Sequence, residues 1–298
     1  MRTDGKKPSG LQRRLARIGY FFCIPYSLHF LVFIAYPLSF SLVLVFHKWD
    51  IVSPMKWVGL ANFARLSSDL LFFRALLNTL VFLAIHIPLQ IAVALFFAEL
   101  LNSRIRLRGF FRAAYFAPVV VSGVVVTILW QHLYAEETGL LNGILTKLGL
   151  GRVPWLSSPY WAMPSIALMA TWKNVGLYIV LFLAGLQGIS PDLYEAAELD
   201  GASRWRMFWH ITLPMLNPVV VLVLVLSTIG GFSLFIEPYM MTGGGPLNST
   251  LSAVLYIYKQ AFYFYRMGYA ATLGFVFAVI IFAVVALQRR FVEREVYV

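Results

Sequence analysis

Residues 190–214, SPDLYEAAELDGASRWRMFWHITLP, hold the densest set of side chains whose types and spacing suggest a task. Ser190 suits a helix N-cap, and Pro191 suits the first helical position, where its missing N–H is not needed. Asp192 and Glu195 place negative charge in the opening turn, which is favourable against the helix dipole. Gly201 can take the left-handed conformation that closes a helix. Ser203 can cap a second helix, which Pro214 separates from the apolar run that follows. A helix–glycine–helix element of this polarity does not enter lipid. Its chemistry is that of a docking surface.

Elsewhere the residue patterns exclude more than they offer. The histidines His29, His47, His86, His132 and His210 show no His-Glu-x-x-His or other metal-ligand spacing. The one Gly-Lys pair, Gly5-Lys6, is followed by Lys7 and is no phosphate-cradling loop, so this chain is not expected to bind ATP itself. Ser122-Gly123 has no plausible base nearby in sequence and reads as a helix-packing pair. Cys23 is alone, which excludes an internal disulfide or a cysteine metal site. No catalytic constellation emerges, and no cofactor or metal is expected on the chain. Lys173 stands apart, a charge inside an apolar run between Trp172 and Asn174. It either faces a wet cavity and hydrogen-bonds solute hydroxyls, or lies near the outer end of its span and snorkels to the headgroups. Glu237, at the outer end of another run, either contacts solute or a delivery protein or simply marks the membrane interface.

The elements that position these residues follow from composition. Of 298 residues, 60% are hydrophobic and 12% charged, about half the charge a soluble domain carries. Six apolar runs, 19–46, 71–100, 110–133, 161–186, 215–236 and 265–287, each reach the roughly 20 residues a spanning helix needs. Barrel-type alternation is absent. The chain is therefore predicted to be an all-α, polytopic membrane protein with about six transmembrane helices. The first run is too long for a signal-peptide core and is read as a retained span.

The net charge of +11 sits in the gaps between runs. One side would carry 15 basic residues, among them Lys6, Lys7, Arg104, Arg106, Arg204, Arg206, Arg289 and Arg294; the other would carry 8. That asymmetry predicts cytoplasmic termini and reports topology rather than nucleic-acid binding. The organisation expected is a tail over 1–18, a membrane domain over 19–287 with the polar loop at 190–214, and a second tail over 288–298.

The polar loop also resembles the signature of the permease subunits of ATP-binding-cassette importers. Glu195, Ala196, Ala197, Gly201, Ile211, Leu213 and Pro214 keep every spacing of its Glu-Ala-Ala, Gly, Ile-x-Leu-Pro pattern. The resemblance implies a type I importer permease in a bacterial inner membrane. Glu195, Ala196, Ala197, Asp200, Gly201 and Arg204 would form a coupling helix seated in a cleft of a separate ATPase. It further implies a heterodimer with a second permease, two ATPase subunits that bind ATP and Mg, and an extracellular or periplasmic solute-binding protein.

Within that family the chain looks like the carbohydrate branch of maltose, lactose and glycerol-3-phosphate permeases. Asn78-Thr79-Leu80, the basic turn 108–112, Pro118, the stretch 241–246 with Thr250, and Gly268-Tyr269-Ala270 carry the likeness. Positions matching the maltose permease's sugar contacts are Val119 and Gly123; Ala170, Lys173 and Asn174; and Ser227, Gly231 and Leu234. Only Ser227 keeps the residue type, which suggests a differently shaped pocket. Trp130, Trp172 and Phe232 are candidates for stacking on sugar faces. The function implied is import of a sugar, with glycerol-3-phosphate or another non-sugar solute as the alternative, and an intramembrane enzyme a weaker one.

Overall fold

The computed structural model describes residues 10–103 and 108–292. Lys6 and Lys7 of the first tail, Arg104 and Arg106, and Arg294 lie outside the described residues. The first span is α1 (Gly10–Phe30), a π-helical turn at Leu31–Ala35, and α2 (Tyr36–Leu44). A short antiparallel hairpin follows, β1 (His47–Lys48) with β2 (Lys56–Trp57), then α3 (Ala61–Ser67). The second span is α4 (Leu70–Asn102). Next come α5 (Arg108–Val120), α6 (Gly123–Leu133) and the short α7 (Leu140–Lys147). The long α8 (Ala162–Gln187) leads into the polar loop, which contains α9 (Pro191–Leu199), α10 (Arg204–Met207), a π-helical turn at Phe208–Thr212, and α11 (Leu213–Met215). The chain ends with α12 (Asn217–Phe232), α13 (Ile236–Met241), α14 (Ala253–Tyr258) and α15 (Met267–Val292).

Five helical stretches among the described residues are long and apolar enough to cross a membrane, and six if α5 and α6 count as one span. The helices outrun the apolar runs at both ends, with α1 beginning before residue 19 and α15 continuing past residue 287. Good helix formers such as Leu11, Leu15 and Arg17, or Gln288 and Arg289, extend a helix beyond the bilayer without being apolar.

The third span departs from expectation. In place of one helix over 110–133, α5 and α6 meet at an angle of 99° around Val121 and Ser122. Ser122 adopts φ −52°, ψ 134° and starts a new helix. Backbone that leaves the helix within a membrane must be buried in protein or line a wet cavity.

The apolar part of α8 is 61% buried inside the chain, whereas that of the first span is 6% buried. Small residues explain the difference. Ala162, Ser165, Ala167, Ala170 and Gly176 let neighbouring backbones close in on α8. A side chain at Gly176 would strike the carbonyl oxygen of Tyr115 on α5. Lipid offers no hydrophobic drive for helix pairing, so polar pairs help to specify it. Gln90 on α4 donates to Ser227 on α12 at 2.9 Å, and Gln288 on α15 donates to Thr228 at 2.9 Å.

The end of the bundle that carries the hairpin is tied together around Asp69. Its carboxylate accepts from the Leu71 and Phe72 amides, capping α4, and from the Tyr256 and Tyr269 hydroxyls. Burial pushes this carboxyl up, but those four hydrogen bonds outweigh burial and hold it below its ordinary value. Arg65 lies over the Tyr269 ring, 4.3 Å from its centre. Nearby, Asn78 donates to the Asn248 and Leu251 carbonyls at 2.7 and 3.0 Å, and the Thr79 hydroxyl accepts from the Ala253 amide. Asn78 and Thr79, which carry part of the carbohydrate-branch likeness, are thus bonded to a segment some 170 residues away.

Candidate docking element and solute cavity

α9 forms as its local chemistry predicts. The Ser190 hydroxyl accepts from the Asp192 amide, Pro191 opens the helix, and Asp192 lies in the first turn. Gly201 ends it at φ +74°, in the left-handed region. The Ala202 amide returns to the Ala197 carbonyl at 2.9 Å and the Gly201 amide to Glu198 at 3.0 Å. These two bonds are the Schellman arrangement, which needs a residue without a Cβ penalty at the turn. Ser203 then caps α10, its hydroxyl accepting from the Arg206 amide. Pro214 does not separate this second helix from the next span. The widened π-turn just before it makes room for the proline ring, and the chain stays helical nearly to α12.

Glu195, Ala196, Asp200, Gly201 and Arg204 are exposed, while Ala197 is half-buried. The element is held from behind. The Tyr194 hydroxyl and Thr212 hydroxyl bond at 2.9 Å, and Tyr194 packs with Leu186, Ile189 and Leu216 against the C-terminal ends of α4 and α8. Three residues absent from the motif reading join the surface: Leu199 is 91% exposed, Trp205 71% and Trp209 48%. Large apolar side chains beside a polar helix end mark an interaction site. Their signal was available in sequence as apolar residues inside a segment too polar to span.

The second candidate lies within the bundle. A cavity of about 250 Å³ is lined by residues of four elements: Phe82 and His86 of α4, Ala170 and Asn174 of α8, Ser227 and Gly231 of α12, and Glu237 of α13, with Leu234 between the last two. Asn174 donates to the Ala170 carbonyl at 2.9 Å, which leaves its own carbonyl oxygen to accept. The Thr171 hydroxyl spends its proton on the Ala167 carbonyl, so His86 Nδ1, 2.8 Å from that hydroxyl oxygen, must be the donor. His86 Nε2 is then an acceptor. The cavity wall is rich in acceptors suited to hydroxyl groups.

The structure brings Asn174, Ser227, Gly231 and Leu234 to this one wall. Two of them have other duties. The Ser227 oxygen already accepts from Gln90. A side chain at Gly231 would collide with Leu83, so this glycine serves the packing of α12 on α4. Phe232, offered as a stacking ring, is fully buried against Phe277. Trp130 and Trp172 face each other with ring centres 5.5 Å apart. His86 and its partner Thr171 were missed by sequence reasoning, because a buried histidine has no spacing signature.

Lys173 and Gly123 come together beside this wall. The Lys173 ammonium lies 3.0 Å from where a Cβ on Gly123 would sit, and Ile236 lies 3.5 Å from the same point. Ser122-Gly123 starts α6, and the glycine lets α6 pack closely against Ile236 of α13 and Lys173 of α8. Lys173 is the twelfth of 26 residues in α8. At 1.5 Å per residue it lies about 17 Å from the nearer helix end, close to mid-helix. A four-carbon stem is shorter than that distance, which favours the cavity reading over snorkelling. An unpaired charge at that depth costs about 2.5–3.5 kcal/mol on insertion scales. Among the described residues the ammonium has no hydrogen-bond or ion-pair partner.

Known proteins place this architecture. The family described as binding-protein-dependent transport system inner membrane component matches residues 73–296. The chain is 38% identical over 268 residues to the arabinooligosaccharides transport system permease protein AraP of Bacillus subtilis, covering 89% of this chain and 85% of that protein. It is 37% identical over 293 residues to the lactose transport system permease protein LacF of Rhizobium radiobacter, covering 96% and 97%. A chain from the crystal structure of a bacterial alginate ABC transporter, in complex with an alginate pentasaccharide-bound periplasmic protein, superposes with a TM-score of 0.82. That match covers 97% of this chain and 100% of the other at 25% identity. The chain belongs to the family of binding-protein-dependent transport system inner membrane components.

Proposed function

We propose that this chain is the solute-translocating permease of an ATP-driven importer that carries a sugar, in particular an oligosaccharide, across a bacterial inner membrane. Relatives named for arabinooligosaccharide and lactose transport, alike over nearly their whole length, support the sugar reading. The observation that carries the coupling role is the exposed element 190–214: a doubly capped helix–glycine–helix whose Glu195, Leu199 and Trp205 face outward while Tyr194 anchors it to the spans.

In this reading the element seats in a partner ATPase, one of two that bind ATP and Mg, and lies on the cytoplasmic side together with both termini. Closure of the ATPases moves α9, and the anchored inner ends of α4, α8 and α12 carry the motion to the cavity. A second permease covers the bare first span, making a heterodimer, and a periplasmic or extracellular binding protein delivers the solute to the opposite face. The chain itself is no enzyme.

The test is reconstitution of the assembled importer in proteoliposomes with labelled oligosaccharides. ATP-dependent accumulation is expected, together with loss of accumulation when Glu195→Lys is introduced. Full uptake by that variant in an assembled complex would sink the coupling role.

A further inference from the structure

We infer that the solute carries an anionic group, and that Lys173 at the break of the third span is the residue that selects it. This rests on the importer reading above and goes on to name the substrate class: a hydroxylated solute bearing a carboxylate, as an acidic saccharide does.

The inference starts from position. Lys173 lies near the middle of the most buried span, and no carboxylate among the described residues pairs with it. Charges at such depth pair with one another or face a pathway for charged cargo. Glu237 is the acidic residue lining the adjacent cavity, and it makes no ion pair with the ammonium. The other lining groups facing this region are the His86 ring, the Asn174 amide, and the apolar Ile236 and Leu234. None of them neutralises a cation.

The ammonium packs against Gly123, 3.0 Å from where a Cβ would sit, and Ile236 lies beside the same point and also lines the cavity, so the cation stands at the cavity's edge. The backbone around it is the beginning of α6, which has no side-chain cap. A neutral sugar would satisfy the acceptors of the wall and leave the cation unmatched. A saccharide with one carboxylate matches both: its hydroxyls donate to Asn174, His86 and Glu237, and its carboxylate meets Lys173 in a charge-assisted hydrogen bond.

The test uses the complete importer, with its second permease, ATPases and binding protein, in proteoliposomes. Uptake is normalised to assembled complex and compared for a uronate trisaccharide, a neutral trisaccharide and glycerol-3-phosphate, each at concentrations that saturate the binding protein. Uptake of the uronate, reduced about tenfold or more by Lys173→Gln and restored by Lys173→Arg, is the expected result. Uptake of the uronate at the same rate in wild type, Lys173→Gln and Lys173→Met overturns it. Uptake of the neutral sugar alone, indifferent to Lys173→Gln, also overturns it and leaves the sugar reading standing. Lys173-dependent uptake of glycerol-3-phosphate but of neither saccharide supports the anion subsite and overturns the sugar reading.

Discussion

Residues 190–214 shape themselves from neighbours within one stretch, whereas the solute cavity is assembled from α4, α8, α12 and α13, between Phe82 and Glu237. In the docking element, Ser190, Pro191, Gly201 and Ser203 set both helix ends through bonds spanning two to five residues. In the cavity, His86 meets Thr171 and Gln90 meets Ser227 across 85 and 137 residues. The first region can be exposed and still keep its form, because capping does not depend on burial. The second exists only while the spans are packed. A permease needs both: a stiff handle that another subunit can grip, and a cavity whose walls belong to separate helices and can move apart.

That contrast can be broken at several points. The largest effect is expected for Glu195→Lys. Truncating or reversing one partner of an interfacial charge pair costs about 2–5 kcal/mol, so affinity for the ATPase should fall roughly thirtyfold or more. Titration of the solubilised permease pair with labelled ATPase measures this, and membrane insertion should be unchanged. Gly201→Asp should behave alike, since φ +74° strains any residue with a Cβ.

Trp205→Ala comes next. If the ring is an anchor, its loss costs about 2–4 kcal/mol of ATPase binding with no change in thermal stability, because the free ring is largely in water. A lowered melting midpoint with unaltered docking would assign Trp205 to folding instead.

Asp69→Asn should do the opposite. It weakens hydrogen bonds to a charged acceptor, worth about 1.5–3 kcal/mol, so thermal unfolding shifts down while ATPase affinity holds. The Asp69 carboxyl is held below its ordinary value, so its contribution is complete above the unfolded value near 4 and disappears as pH falls through the lower folded value. The gap between wild type and variant should therefore be constant near neutrality and close only in acid, below about pH 4.

The smallest effect is expected for Ser227→Ala, about 1 kcal/mol of stability from the lost Gln90 bond and little change in uptake. Asn174→Ala, on the same wall, should lower uptake more than it lowers stability. If Ser227→Ala were the more damaging of the two for uptake, the assignment of its hydroxyl to packing would be wrong.

Much of the site was legible before any coordinates. The helix ends at Ser190 and Gly201 stand where residue chemistry puts them, and the positions Asn174, Ser227, Gly231 and Leu234 do share one wall. Less legible was which of them face solute, because Gly231 and Ser227 turn toward α4 through contacts with Leu83 and Gln90 that no local pattern encodes. The break at Ser122 was visible only in hindsight: a serine–glycine pair reads equally well as a packing pair or a helix start. Lys173 stands out in the sequence, and its mid-helix place in α8, known only from the structure, favours the cavity reading.

The amino-acid order by itself determined the membrane-spanning class, the approximate spans and the capped docking element, because apolar run length and helix capping act over a few residues. Tertiary structure decided that the third span breaks, that α8 is the buried axis while the first span stays bare, and that the Lys173 ammonium reaches Gly123. Those outcomes depend on which helix faces which, and in lipid that choice is made by small-residue contacts and polar pairs between segments distant in the chain.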